Sequence, residues 1–555
     1  MKKILSVILC VILCLHALAG CAGKTDVANT APEFSGAANQ SKGAEKTEAA
    51  LAQIAQLGES PNDNYRVWYE IFVYSFCDSD GDGIGDLNGV RSKIPYLREL
   101  GVTGIWFMPL HPSTTYHKYN VSDYYAIDPQ YGTMEDFEAL LSECEAAGIK
   151  VIMDLVVNHT GSEHAWFKTA VEYLKGLPEG ATPSPEECKY LDYYFFSSES
   201  TGVSAPKEVA GTDYWYEAMF SYDMPDLNLD NPAVRAEVED IMAFWMGKGV
   251  AGFRLDAAKE FFTGNGDKNV EVLSWLQQAA TAIDPDAYMV AEVWDTFANI
   301  SRYYDSGITS IFDYAFGNSD GKIVKVIRGA GNAAMVETYA TGLEKADKTY
   351  LEHNPNYIDA PFLSNHDVGR IAGFAGREEN KVKLAGAMNI FMGGSVFIYY
   401  GEELGMAGSG NDPSKRVAMY WNESGEGMTK LPPDATEQEH PFGSLETQKT
   451  DDNSVYNYYR QAIAIRNALP VISHGRVTAE ANLNKGCVSA QRKTWGEESC
   501  IILMNIDANA ARVDLSDYAD WQLAASLSAD GGEIKLNGTT LDLPAFGVAI
   551  LTPGR

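Results

Sequence analysis

The stretch KVIMDLVVNH, residues 150–159, decides the fold. Its apolar residues follow one another without alternation, as a strand buried on both faces requires, and it finishes on polar groups, Asn158 and His159. The same construction returns seven times: VWYEIFVYSF from Val67, VTGIWFMPL from Val102, GFRLDAA from Gly252, YMVAEVW from Tyr288, SIFDYAF from Ser310, PFLSNHD from Pro361 and SVFIYYGEEL from Ser395. Segments of helical periodicity lie between these runs. Thr133 caps MEDFEALLSECEAA, where Met134, Phe137, Leu141 and Cys144 share a face before Gly148 ends it. Asn231-Pro232 opens another helix that carries Val234, Val238, Ile241 and Trp245. Eight runs alternating with helices predict an α/β fold, a (β/α)8 TIM barrel made by residues 62–159 and 226–470.

The connection after the third run breaks this rhythm. Residues 160–225 are Pro- and Tyr-rich and mostly non-periodic, too long for a structureless loop, and predict a small inserted domain beside the barrel mouth. From residue 471 to 555 short strands alternate with Gly, Asn and Asp turns, which predicts a terminal antiparallel β-sandwich. At the other end, residues 1–20 carry two lysines, a short apolar run and then small residues, the pattern of a secretory signal peptide. Leu18-Ala19-Gly20-Cys21 resembles the bacterial lipoprotein cleavage box. By that resemblance Cys21 is lipidated and holds the chain on the outer face of the cell membrane. Residues 21–61, polar with hardly an aromatic, read as a flexible tether. Five cysteines remain after Cys21, too irregularly spaced for a disulfide framework or a zinc ribbon; they read as core thiols, although Cys487 and Cys500 flank a hairpin where they could meet. A formal charge of −33 repels phosphate backbones and anionic headgroups, so nucleic acid is excluded as a partner and the membrane is reached through the lipid alone. A neutral substrate fits this charge.

In such a barrel the reacting groups sit at the carboxyl ends of the strands. Ionisable residues recur there: Asp154 to His159 at the end of the third run, Arg254-Leu255-Asp256 in the fourth, Glu292-Val293-Trp294 in the fifth and Asn365-His366-Asp367 in the seventh. Cleaving a glycosidic bond takes one carboxylic acid to protonate the departing oxygen and one carboxylate to receive the developing cation. Adjacent runs four and five supply that pair as Asp256 and Glu292. Asp367 joins them, with His159, Arg254 and His366 as donors to sugar hydroxyls.

These four strings, in this order, resemble the diagnostic segments of the α-amylase family, glycoside hydrolase family 13, from about Asn62 to the carboxyl terminus, nearest its oligosaccharide-active, neopullulanase-like members. The resemblance implies a retaining hydrolase of starch or maltooligosaccharides in which Asp256 is the nucleophile, Glu292 the acid/base and Asp367 the residue that distorts the sugar. His159, Arg254 and His366 would serve the subsite of the cleaved glucose. Tyr116-His117-Lys118-Tyr119 is similar to the segment whose last tyrosine stacks on that sugar, and Met224-Pro225-Asp226-Leu227-Asn228 to the signature closing the inserted domain. Ala257, after the nucleophile, and Lys259 resemble residues of members that cut α-1,4 bonds. The same resemblance leaves a glucanotransferase, which passes the glucosyl group to a sugar, and a non-catalytic glucan-binding surface lipoprotein as alternatives.

A further acidic constellation, Asp78, Asp80, Asp82 and Asp86 around glycines, brings carboxylates together that repel unless a hard cation joins them. Gly89 stands where an EF-hand has its bidentate glutamate. Similar loops in oligosaccharide-active family members bind Ca²⁺ through those aspartates and the backbone oxygen at Ile84. The family's second Ca²⁺ site uses the equivalent of Asn158, but Glu260 occupies a position usually held by His.

Overall fold

The structure is a computed structural model and describes residues 44–436 and 438–554. The signal peptide, Cys21 and the tether up to residue 43 lie outside the described residues.

Seven parallel strands form one curled sheet in the order Val396–Tyr399, Val67–Ile71, Gly104–Phe107, Lys150–Leu155, Gly252–Leu255, Tyr288–Ala291 and Ser310–Ile311. Apart from exposed Lys150, every residue of these strands is buried, which the unbroken apolar runs anticipated. The seventh run departs from expectation, because PFLSNHD forms no regular strand, and the parallel bridge at this place, Phe312 to Ala360, falls on the residue just before it. Pro361 has no N–H to give a ladder. Residues 358–361 nevertheless close the ring. On one side Ile358 donates to the Thr309 carbonyl at 2.9 Å and Asp313 to that of Ala360 at 3.1 Å; on the other Ser395 donates to Asp359 at 2.7 Å and Phe397 to Pro361 at 2.8 Å.

Aromatic rings fill the barrel. Trp68 stacks on Tyr288 with centroids 4.9 Å apart, Trp106 tilts over Phe312 at 5.3 Å, and Phe397 meets Phe312 edge-on at 4.9 Å. Gly104 makes this possible, since a Cβ there would lie 2.2 Å from the Trp68 ring. Around the barrel, the helix Met134–Ala146 starts with a capping box of Thr133 and Asp136 and buries Phe137, Leu140, Leu141 and Cys144. Pro232–Gly247 is capped by Asn231 and buries Val234, Val238, Ile241, Met242 and Trp245.

The inserted segment holds the helix Ala165–Gly176 and a three-stranded antiparallel sheet, Phe196–Ser197, Trp215–Glu217 and Pro206–Glu208. After the barrel come a five-stranded sheet and a three-stranded one, both antiparallel. Alternation along Glu498–Asn505 divides its side chains: Ile501 and Leu503 join a core between these sheets, while Cys500, Ile502 and Met504 join the barrel core. Cys500 pairs across the hairpin with Lys493, whereas Cys487 lies at the far end beside Ile506, so these two thiols do not meet; all five described cysteines are free.

The tether reading is corrected over Glu45–Ile54, which is a helix packed on the helix Val455–Ala468. Glu48 pairs with Arg460 at 2.8 Å, Asp452 accepts from the Thr47 N–H at 2.8 Å, and Thr47 and Ile54 are buried. A polar composition concealed its narrow apolar face. Among the described residues no helix is long and apolar enough to cross a membrane.

Candidate active site

The strand register sets Arg254 beside Asp154, and the guanidinium is the hub of the site. Nη1 donates to Asp154 at 2.8 Å and to Asp256 at 2.6 Å, and Nη2 donates to Glu292 at 2.8 Å. A cation buried this deeply is stable only among counter-charges, and three carboxylates surround it. Burial raises the pKa of all three; Arg254 offsets part of the rise, yet Asp256 and Glu292 stay raised from their ordinary values and Asp154 is pushed up to about 7.

A second chain of contacts fixes Asp367. His366 lies fully buried between Glu70, 2.7 Å from Nδ1, and Asp367, 3.1 Å from Nε2. Burial opposes its cation, but the two carboxylates outweigh burial and pull its pKa up to about 9. Arg416 reaches Asp367 at 2.8 Å and also donates to the Tyr116 hydroxyl at 3.1 Å. Burial alone would raise Asp367, but His366 and Arg416 hold it well below its usual range. Tyr119 links both groups, donating to Asp154 at 3.0 Å and lying 2.7 Å from His366 Nε2.

Asp256, Glu292 and Asp367 face one cavity of about 570 Å³, walled also by Tyr119, His159, Ala257, Lys259 and Glu260. Arg254 and His366, expected to touch sugar, are not among its wall residues, and their bonds to carboxylates place them behind it. His159 is buried, which pushes its pKa down to about 4, and its Nε2 has no hydrogen-bond partner among the described residues. Lys259 reaches the Trp294 carbonyl at 3.3 Å and Asp295 at 3.7 Å. Ala257 has a left-handed backbone, φ +47°, and its N–H donates to Glu292 Oε2 at 2.9 Å. Tyr314 stacks on Trp294 with centroids 5.2 Å apart, its hydroxyl 3.5 Å from Glu292 Oε1.

Sequence reasoning gave no role to Asp154, Glu70, Arg416 or Tyr314. A charge inside the apolar run VWYEI marks Glu70 as unusual. Arg416 follows the last barrel strand in a stretch without periodicity, and nothing in the sequence points to it.

At the acidic loop, ligand atoms of Asp78, Asp80 and Asp86 lie within 4.8 Å of one another. Backbone N–H groups orient them: Asp78 accepts from Gly81 at 2.7 Å and Gly83 at 2.8 Å, and Asp86 from Ser79 and Gly89, each at 2.7 Å. This set of fixed hard oxygens fits Ca²⁺. Asp82 is outside the trio; its carboxylate accepts from the Ile84 N–H at 2.7 Å, and its carbonyl accepts from Lys430 Nζ at 2.8 Å. At the position of the family's second site Asn158 donates to Asp226 at 3.3 Å and its carbonyl accepts from Leu227 at 2.9 Å, so hydrogen bonds tie the end of the third strand to the segment that closes the inserted domain.

Residues 70–475 match the family described as alpha amylase, catalytic domain. Alpha-amylase 3 of Dictyoglomus thermophilum is 38% identical over 443 residues, covering 80% of this chain and 84% of that protein. A 4-alpha-glucanotransferase of Thermotoga maritima is 30% identical over 71% of this chain and 85% of its own. The solved structure of Eubacterium rectale Amy13B superposes with a TM-score of 0.88 at 41% identity, over 92% of this chain and 99% of that one. A buried hub of carboxylates at the mouth of a (β/α)8 barrel and likeness over most of the length place this chain in the α-amylase family, glycoside hydrolase family 13, as an α-amylase-type glycoside hydrolase.

Proposed function

We propose that the protein is a retaining hydrolase of α-1,4-glucosidic bonds in starch and maltooligosaccharides, acting outside the cell from a lipid anchor at Cys21. The observation that carries the chemistry is the single Arg254 guanidinium, which holds Asp256 and Glu292 by different nitrogens at the floor of one cavity. A shared guanidinium favours the close spacing of about 5–5.5 Å that retention needs over the about 6.5–9.5 Å of inversion.

Glu292 Oε2 accepts from Arg254 and from the Ala257 N–H, so the proton of the acid belongs on Oε1. Its raised pKa keeps that proton available. Glu292 gives it to the glycosidic oxygen as Asp256 Oδ bonds to the anomeric carbon and the C–O bond breaks. Water then attacks the glucosyl ester, losing a proton to Glu292 and restoring Asp256 as carboxylate. Asp367, held ionised, accepts from the sugar hydroxyls throughout. Ca²⁺ at the Asp78–Asp86 loop would be held by Asp78, Asp80 and Asp86 and would supply rigidity rather than chemistry. The lipoprotein-like string at Leu18–Cys21 supports the anchor.

The Thermotoga glucanotransferase relatives favour a second reading, in which a sugar hydroxyl replaces water as acceptor. A chromatographic time course from maltoheptaose, with and without added glucose, separates the two: a hydrolase gives only shorter products, a transferase also longer ones. Asp256→Ala is expected to lower turnover by at least about three orders of magnitude, roughly 4 kcal/mol of barrier, with partial rescue by azide. Retention of a tenth of parental activity would remove Asp256 from the mechanism.

A further inference from the structure

We infer that the tip of the inserted domain, Phe220 and Tyr222, is a stacking platform for an α-glucan chain where it leaves the cavity; this rests on the glucan-cleaving function proposed above. Eight large apolar side chains are exposed among the described residues, and four of them, Met219, Phe220, Tyr222 and Trp294, gather at this cleft and the tip beside it. Phe220 is 51% exposed and Tyr222 71%. Rings held this far into water by a folded loop serve a ligand rather than the core. Phe220 lies in the cavity wall with its ring 5.5 Å from that of His159, while Tyr222, two residues on, lies outside the wall.

The tip is held in place. Asp226 accepts from the Met219 N–H at 2.9 Å, Met224 donates to the Ser221 carbonyl at 3.0 Å, and the Tyr216 hydroxyl donates to the Tyr222 carbonyl. Asp226 is itself bonded to Asn158, so the platform is fastened to the end of the third barrel strand. A cavity of about 570 Å³ is of small-ligand size, and a polymer bound there must continue over its rim. Pyranose faces carry C–H groups that pack on aromatic rings, and the neutral chain suits a rim that also bears Glu260 and Asp412. The same carboxylates, with the overall charge of −33, disfavour an anionic lipid surface as the occupant.

The test compares Tyr222→Ala, Phe220→Ala and Tyr222→Phe with the parent on maltotriose, maltoheptaose and soluble starch. Tyr222→Ala is expected to lower kcat/KM on starch and maltoheptaose about tenfold, equal to about 1.4 kcal/mol, and on maltotriose less than about twofold, with Tyr222→Phe near parental. Depletion onto insoluble starch gives a readout without catalysis: in a Glu292→Gln background the parent tip should bind and the Tyr222→Ala tip should bind more weakly. Equal losses on short and long substrates, or undiminished starch binding, would overturn the platform. Ring-dependent sedimentation with phosphatidylcholine vesicles, alongside unchanged starch kinetics, would assign the tip to lipid and overturn it as well. Starch binding that depends on Tyr222 in a parent that forms no product would instead sink the hydrolase reading and leave the platform standing.

Discussion

Arg254→Lys is the substitution whose outcome the site defines most sharply. The guanidinium serves Asp154 and Asp256 through Nη1 and Glu292 through Nη2. A lysine ammonium is one point charge and cannot occupy both places. Placed near Asp154 and Asp256, it keeps most of their stabilisation and abandons Glu292. A charge-assisted hydrogen bond contributes about 1.5–3 kcal/mol, so losing it should raise the pKa of Glu292 further. The sign follows from the roles: Arg254 favours the charged form of each acid, so weakening it raises their pKa values. Glu292 works protonated and Asp256 ionised, so both limbs of the pH profile of kcat/KM move to higher pH, the alkaline limb by more. These limbs belong to the coupled carboxyl cluster rather than to single residues. The measurement is the profile on maltoheptaose, together with the melting temperature, which should fall because disrupting a buried ion pair costs about 3–5 kcal/mol. Limbs that stay in place, or an alkaline limb that moves toward acid, would refute the assignment of Glu292 to the protonated role.

The acidic loop should bind one Ca²⁺: adding a chelator is expected to lower the melting temperature of the parent but not of Asp78→Ala, and a parent indifferent to chelator would mean that the trio holds no metal. Ala257→Val puts a β-branched residue at φ +47°, which costs about 1–3 kcal/mol of strain. That strain displaces the N–H on Glu292, so activity on maltotriose should fall while the parent prefers maltotriose to isomaltotriose; a parent preferring isomaltotriose would end the α-1,4 assignment. Cys21→Ala should release the protein from membranes into the medium, and continued partition into detergent would exclude lipidation as the anchor.

Much of this was legible in the sequence, for a physical reason. Strands buried on both faces, such as Lys150–Leu155, announce themselves as unbroken apolar runs, and acids at their ends stand out against that background. Asp256, Glu292 and Asp367 were readable on those terms, and the structure gathers them at one cavity. Periodicity missed what depends on partners distant in the chain. Arg416 acquires meaning only when folding brings it to Asp367, and the positions of Arg254 and His366 behind the cavity wall follow from hydrogen bonds no spacing displays. The helix Glu45–Ile54 escaped because only one face of it, Ala44, Thr47 and Ile54, is buried, and that face is short and weakly apolar.

The closing stave of the barrel has a consequence for how the ring moves. Residues 358–361 join their neighbours by isolated hydrogen bonds rather than a continuous ladder, so the amides of this seam are expected to exchange with solvent sooner than those of the strands beside it. Asp367 hangs a few residues beyond the seam, whereas Asp256 and Glu292 follow strands locked on both sides. The two groups that make and break bonds thus rest on strands paired on both sides, whereas the one that grips the sugar takes its position from side-chain partners, His366 and Arg416, rather than from a ladder.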